Sequence, residues 1–230
     1  MTFSRKILSL CSVGILGLAS TAVAHADAIG ASETFTFTQG GSLAATPGNY
    51  GTVKITQTAT GVVTVLVTLA EPGEYFAGTG AGNALDFNLI GDPSITIGNL
   101  TSGFQAGPAP AAGNPFGSFD YSVSCNFSGG GCNTGAGVGN TAGPLSFTVT
   151  DALGVNLSDF FALNGTNFFS TDIFIGNTST GVGNTGVVAT LGGTPNVPTP
   201  EPSSLMLLGT GIIGAAGMLR KRMIPAANNG

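Results

Sequence analysis

The stretch Val62-Val63-Thr64-Val65-Leu66-Val67-Thr68-Leu69 decides the fold class of this chain. In an extended conformation the odd-numbered residues from Val63 to Leu69 share one face, and Thr64 and Thr68 lie on the other. Alternation with a period of two is typical of a strand that buries one face only. Because β-branched residues also favour strands, the stretch predicts a strand between a core and solvent.

Similar patterns recur along the middle of the chain and are separated by glycine- and proline-rich turns. The further predicted strands cover residues 34–38, 52–58, 84–90, 94–98, 118–124, 145–150, 171–176 and 186–191. Residues 171–176 are apolar on both faces at Ile173, Phe174 and Ile175, which favours a central strand. The sequence therefore predicts an all-β fold, an antiparallel β-sandwich of roughly nine strands.

Two segments between the strands do not fit the alternating pattern. Residues 157–161 are the one helix-like patch, with Ser158 as its expected cap. Residues 107–115 contain three prolines and are predicted to be a loop, because proline is excluded from strand interiors.

The charge distribution excludes several classes of function. Between residues 27 and 199, Lys54 is the single basic residue and ten residues are acidic, which gives a net charge of about −9. Nucleic-acid binding is excluded, because phosphate contacts need a basic surface. The one histidine, His25, lies outside this region, so catalysis through a histidine base and histidine-ligated zinc are excluded as well. We expect no enzyme, no metal site and no cofactor.

The N-terminal residues 1–26 are typical of a secretory signal peptide. Arg5 and Lys6 precede a mostly apolar run over 7–23, and the segment ends in small residues at alternate positions, Ala22, Ala24 and Ala26. We expect cleavage after Ala24 or Ala26, with the secretion machinery and a signal peptidase as partners.

The C-terminal residues form a second targeting segment. A proline-rich linker over 195–202 is followed by 17 uncharged residues, 203–219, and then by Arg220, Lys221 and Arg222. A helix of that length spans roughly 25 Å and predicts a transmembrane helix. The basic residues place 220–230 in the cytoplasm, which leaves residues 27–194 as the exported β-sandwich domain.

The tail also resembles a known sorting signal. Pro200, Glu201 and Pro202, the apolar helix and the basic cluster together resemble the PEP-CTERM signal over about residues 198 to 222. The resemblance implies an exported bacterial protein and an exosortase that cuts near Pro-Glu-Pro. It also implies an inner-membrane anchor before processing, and afterwards a place at the cell surface or in the extracellular polysaccharide matrix.

Cys125 and Cys132 are the two cysteines that remain once the signal peptide is removed. An even number of cysteines in an exported protein predicts a disulfide. Free buried thiols and pairing between molecules are the alternatives.

Three functions compete for the body of the chain. The first is a non-catalytic structural or adhesion component of the surface or matrix. The second is a carbohydrate- or calcium-binding module, with Tyr50 and Tyr75 as stacking candidates. Its candidate calcium ligands are Asp86, Asn88 and Asp92, or Asn177 and Asn184.

The third function is glycoside hydrolysis, which needs a pair of carboxylates. Glu71 and Glu74 flank one turn, and Asp86 and Asp92 bracket one strand. The alternative interpretation of these acidic residues is a solvated surface that keeps the protein soluble.

Overall fold

The computed structural model describes residues 27–41, 43, 48–70, 74–79, 83–126, 132, 143–177 and 182–192. The predicted signal peptide and the segments from the linker onward lie outside these ranges. Within them the chain forms no helix with the length and apolar character of a membrane span.

The all-β prediction is confirmed: the described residues form thirteen strands, and every strand pair is antiparallel. The bounds are β1 Ser32–Gln39, β2 Gly51–Ala59, β3 Val62–Leu69, β4 Glu74–Phe76, β5 Leu85–Phe87, β6 Ile95–Gly98, β7 Phe104–Ala106, β8 Ala111–Ala112, β9 Ser118–Phe119, β10 Tyr121–Cys125, β11 Leu145–Asp151, β12 Phe169–Asn177 and β13 Val182–Thr190. All nine predicted strands are present. One of them, 118–124, is split into β9 and β10, and the three strands that the sequence did not predict, β4, β7 and β8, have two or three residues each, too few for alternation to be visible.

Ten strands form one nearly closed sheet in the order β6-β11-β3-β2-β1-β13-β12-β5-β10-β7, and β4 also pairs with β12. The sequence predicted two separate sheets. The difference arises at β1, whose first part pairs with β2 from Ser32 to Thr36 and whose last part pairs with β13 at Phe37 and Gln39. A bulge between these two residues turns the strand from one part of the sheet into the other.

Apolar side chains from both parts of the sheet fill one common core. Phe87 on β5 connects them: its ring centroid lies 6.0 Å from that of Phe147 on β11 and 5.5 Å from that of Tyr121 on β10. Phe160, from the segment before β12, stacks on Phe87 at 5.6 Å. The core is therefore rich in aromatic contacts between distant parts of the chain.

The outward face differs between the two parts of the sheet. On the exposed half, which comprises β6, β11, β3, β2 and residues 32–36 of β1, the outward side chains are exposed or half-buried and mostly threonine. These are Ser32, Thr34, Thr36, Thr52, Lys54, Thr56, Thr64, Leu66, Thr68, Thr96, Ser146, Thr148 and Thr150.

The covered half comprises residues 37–39 of β1 with β13, β12, β5, β10, β7 and β4, and many of its outward side chains are buried. Asp86, Ser170 and Asp172 are 0 % exposed, although their neighbours Leu85, Phe87 and Ile173 point into the core. The covering is supplied partly by the segment between β7 and β10: a Cβ atom at Gly113 would lie 2.6 Å from the Ser170 hydroxyl oxygen.

Two predictions for this covering segment are wrong in detail. The proline-rich stretch 107–115 is not free of strand, because β8 lies within it and pairs with β9. The predicted strand 118–124 is divided at Asp120, whose N–H donates to the Asn88 side-chain oxygen (2.7 Å) instead of a neighbouring strand. Phe119 therefore lies outside the main core, although it is fully buried.

The predicted helical patch is a short 3-10 helix, Leu157–Phe161. Its N-cap is Asn156 and not Ser158. The Asn156 N–H donates to the Asp159 carboxylate (2.7 Å), and the Ser158 N–H donates to the Asp27 carboxylate (2.8 Å). Ser158 is thus inside the helix and is itself capped by an acidic side chain from the start of the domain.

Candidate functional site

The predicted sorting residues lie outside the residues that the structure describes. These are Pro200, Glu201 and Pro202 in the motif and Arg220, Lys221 and Arg222 in the basic cluster. Glu71, one of the candidate carboxylates, also lies outside. The geometry below therefore concerns the body of the chain alone.

Cys125 and Cys132 form a disulfide with a Cα–Cα distance of 5.4 Å. Both residues are buried and belong to the main core. Because Cys125 is the last residue of β10, the disulfide closes the chain on itself where this strand leaves the covered half. Its role is consistent with stabilising the fold.

None of the three tyrosines forms an exposed platform for a sugar ring. Tyr50 and Tyr121 are each 7 % exposed and belong to the core, and half-buried Tyr75 packs on Phe174 with ring centroids 6.4 Å apart. The large apolar side chains that are exposed in the described ranges are all leucine or isoleucine. The stacking role expected of Tyr50 is therefore wrong, and the packing alternative is correct for it.

The Asp86–Asp92 pair that the sequence suggested does not form, and the Glu71–Glu74 pair cannot be described because Glu71 lies outside the described residues. Glu74 is 4 % exposed and accepts a hydrogen bond from the Ala70 N–H (3.0 Å), which links the start of β4 to the residue that follows β3. Asp86 is buried on the covered half, whereas Asp92 is exposed beside a surface pocket that Asp86 does not line. Asp86 and Asp92 are thus close in sequence, but one is buried and the other is exposed.

The expected calcium ligands are likewise separated. The Asn88 side-chain oxygen accepts the Asp120 N–H, so it stabilises the bend between β9 and β10. Asn184 is exposed on β13, and the side chain of Asn177 lies outside what the structure describes. No joint site of Asp86, Asn88 and Asp92 results.

A surface pocket of about 480 Å³ is lined by two acidic residues, Asp92 and Asp120. Its lining includes Asp92, Asp120, Tyr121 and two prolines, Pro93 and Pro110. The Tyr121 hydroxyl donates to the Asp92 carboxylate (2.7 Å) and also contacts the Pro93 carbonyl. Burial raises the pKa of Tyr121, and burial together with the Asp92 charge raises the pKa of the Asp120 carboxyl.

A pair of buried carboxylates, Asp86 on β5 and Asp172 on β12, is the most unusual polar feature of the body. Asp86 accepts hydrogen bonds from the Asn83 amide and the Ser170 hydroxyl, each at 2.8 Å. One oxygen of Asp172, Oδ2, accepts from the N–H (2.6 Å) and the hydroxyl (2.7 Å) of Thr79. The other, Oδ1, is buried and has no hydrogen-bond partner.

The environment of this pair opposes its negative charge. Burial raises the pKa of Asp86 to about 7, and the nearby Asp172 charge adds to the effect although the two hydrogen bonds oppose it. Burial likewise raises the pKa of Asp172, against the hydrogen bonds from Thr79. Asp172 was not among the candidate site residues. The available signal was an acidic residue inside an otherwise apolar strand, Thr171-Asp172-Ile173-Phe174.

Comparison with known proteins gives one match, and it concerns the tail. No curated protein and no solved structure matches the chain. Residues 198–222 match the family model for the PEP-CTERM protein-sorting motif. Such a motif implies an exported protein that passes through a membrane-anchored precursor, with an exosortase as its processing partner. The C-terminal tail of this chain therefore carries a PEP-CTERM sorting signal.

Proposed function

We propose that the body of this protein is a non-catalytic structural or adhesion component of the cell surface or of the extracellular polysaccharide matrix. The observation that carries the proposal is the PEP-CTERM motif at residues 198–222, which assigns the body to the export route. The signal peptide predicted at residues 1–26 agrees with that route.

The use of acidic side chains in the body supports a non-catalytic role. Glu74, Asp159 and Asp27 each accept a backbone N–H group, and the last two thereby stabilise the 3-10 helix. Asp86 and Asp172 are fully buried. Catalytic carboxylates must reach a substrate, and none of these five lines the surface pocket at Asp92 and Asp120.

The exposed half supports a role at a hydrated surface. Its outward threonines are aligned across strands, as in the row Ser32–Thr56–Thr64–Thr148. Neighbouring strands are about 4.8 Å apart, so the hydroxyl groups form a closely spaced array in which Lys54 is the one charged outward side chain among the described strands of this half. Such an array suits contact with a neutral, hydroxyl-rich polymer.

Carbohydrate binding in the pocket at Asp92 and Asp120 is the second candidate function. Two carboxylates and a tyrosine hydroxyl around a pocket of about 480 Å³ offer hydrogen-bond acceptors to sugar hydroxyl groups. The absence of exposed aromatic rings in the described ranges makes this candidate weaker than the structural one.

The test is deletion of the gene in its own host, followed by complementation. We expect cells without the gene to aggregate less or to retain less polysaccharide, and we expect the wild-type gene to restore both. A gene that ends after residue 194 should not restore them, because the sorting signal is absent. Aggregation and matrix composition that do not change on deletion would contradict the structural role.

A matched variant separates the two candidates. The double substitution Asp92→Asn and Asp120→Asn removes both carboxylates of the pocket. The structural role predicts full complementation by this variant, whereas sugar binding in the pocket predicts loss of polysaccharide retention. Hydrolysis of host polysaccharide by the purified protein, abolished in the variant, would overturn the non-catalytic assignment.

A further inference from the structure

We propose that Asp86 and Asp172 hold a hard metal cation, with Ca²⁺ the best-fitting ion, between the covered half of the sheet and the segments that cover it. This site would be a structural cation site inside the body, independent of the sorting signal.

The Oδ1 atom of Asp172 is the first reason. It is a buried side-chain oxygen without a hydrogen-bond partner, and the residue is 0 % exposed. A protonated Oδ1 would have to donate to an acceptor, and none lies within hydrogen-bond distance. A carboxylate oxygen left in this state is strongly unfavourable, whereas a cation would satisfy it directly.

The second reason is the absence of a protein counter-charge. Lys54 is the single basic residue between residues 27 and 219, and it is exposed on β2 in the other half of the sheet. Buried carboxylates are normally paired with a cationic side chain or a metal ion. A metal ion is the partner that remains once Lys54, the one cationic side chain of the described residues, is excluded.

The positions of the two carboxylates suit one bridging ion. Asp86 pairs with Ser170 across the sheet, and Asp172 lies two residues further along β12 on the same face. Diagonal neighbours of this kind are roughly 7–8 Å apart. Two carboxylates at that separation can approach one ion from opposite sides, at the roughly 2.4 Å typical of calcium–oxygen bonds.

The chemistry of the surroundings selects the ion. The described residues contain no group of three or more His, Cys, Asp or Glu side chains around a common point, and the cysteines are joined in a disulfide. Further ligands would be neutral oxygens, of which the Thr79 hydroxyl and the Asn83 carbonyl groups are adjacent. All-oxygen, partly neutral ligand sets favour Ca²⁺ over zinc. Two carboxylates imply weak binding, as in extracellular modules with dissociation constants of about 10⁻⁴–10⁻³ M.

Thermal unfolding of the full chain in detergent, at pH 8, tests the site. We expect millimolar Ca²⁺ to raise the Tm of the wild type by several degrees relative to chelator, since a ligand that binds only the folded state stabilises it. Choline chloride at matched ionic strength should have no such effect. An equal Tm in Ca²⁺ and in chelator, or an equal rise with choline chloride, would overturn the proposal.

Substitutions locate the ion. Asp172→Asn and Asp86→Asn should each abolish the rise in Tm, and the surface variant Asp120→Asn should retain it. If an asparagine variant does not fold, calorimetric titration of wild-type protein still decides, with one Ca²⁺ per chain expected and no binding heat contradicting the site. A Ca²⁺ response in both buried variants equal to that of the wild type would overturn the assignment to this pair.

Discussion

The two halves of the sheet share one core but present opposite outer surfaces. The exposed half shows threonines to solvent, as at Thr34 and Thr68, and its acidic and basic side chains are few. The covered half buries Asp86, Ser122 and Asp172 beneath other segments of the chain. Apolar and polar residues alternate in strands of both halves, as in β3 and β10, so alternation alone does not determine which polar face meets water.

The difference originates in the connections between strands. Within the exposed half, β2 and β3 are joined by a tight turn that leaves the outer face open. In the covered half, the long connection from β7 to β10 folds back as the β8–β9 hairpin, and the Ser122 hydroxyl donates to the Pro108 carbonyl in it (2.8 Å). Polar strand residues that are covered in this way must find partners inside the protein.

The largest expected effect is the dependence of stability on pH in chelator, measured against Asp86→Asn by urea unfolding. The folded pKa of Asp86 lies above its ordinary value and Asp172 is the charged group that faces it. The contribution of the protonated Asp86 carboxyl to the free energy of unfolding is therefore fully present below about pH 4, and it is lost as pH rises through about 7. Relative to the variant, wild type should lose about 4 kcal/mol between these limits.

A difference between wild type and Asp86→Asn that stays constant with pH would contradict a raised pKa for this carboxyl. The same comparison with Asp151→Asn, a half-buried residue at the end of β11 in the exposed half, serves as the control.

The next largest effect concerns the disulfide of the covered half. Cys125 and Cys132 are seven residues apart, and closing so short a loop contributes about 2.5 kcal/mol in a chain-entropy account. The double substitution to serine should lower the free energy of unfolding by that amount or more, because both residues are buried. Equal urea midpoints for the variant and the wild type would show that the disulfide does not stabilise this half.

Alanine substitutions at two glycines, one in each half, test how closely the outer face of that half is covered. A Cβ at Gly113 would lie 2.6 Å from the Ser170 hydroxyl and 2.7 Å from the Phe119 ring, whereas at Gly98 the nearest atom is 3.4 Å away. Gly113→Ala should destabilise the protein by about 1–3 kcal/mol, and Gly98→Ala should be neutral or stabilising by up to about 1 kcal/mol. Similar losses for both variants would mean that the hairpin does not cover Ser170 closely.

The smallest effect is the loss of one hydroxyl from each half. Ser122→Ala removes the buried donor to the Pro108 carbonyl and should cost about 1 kcal/mol. Ser146→Ala, on the outer face of β11, should change the free energy of unfolding by less than about 0.5 kcal/mol. Chemical unfolding distinguishes the two, and a larger loss at Ser146 would reverse the comparison.

Much of the fold was predictable because, in strands such as Val62–Leu69, the alternation of apolar and polar residues alone indicates which face is buried. The short strands, the division at Asp120 and the sharing of β1 were not, since each depends on a distant partner. The Asp86–Ser170 hydrogen bond joins residues 84 positions apart. One sequence does not reveal such a pairing, and so the carboxylate pair was missed although Asp86 had been considered.

The sorting residues show the opposite case. Pro200, Glu201 and Pro202 were recognised from a local motif that needs no tertiary partner, and the family model covers the same region. The predicted disulfide required only the count of cysteines in an exported chain. Features encoded locally or by composition were predictable, whereas sites assembled across the sheet were not.

Mass spectrometry of the mature protein from its own host tests the central claim, that the body is exported and sorted, most directly. The account predicts an N-terminus created by cleavage after Ala24 or Ala26, a C-terminus near Pro200-Glu201-Pro202, and Cys125 joined to Cys132. An intact chain of 230 residues in the cytosol, with free thiols and neither end processed, would contradict it.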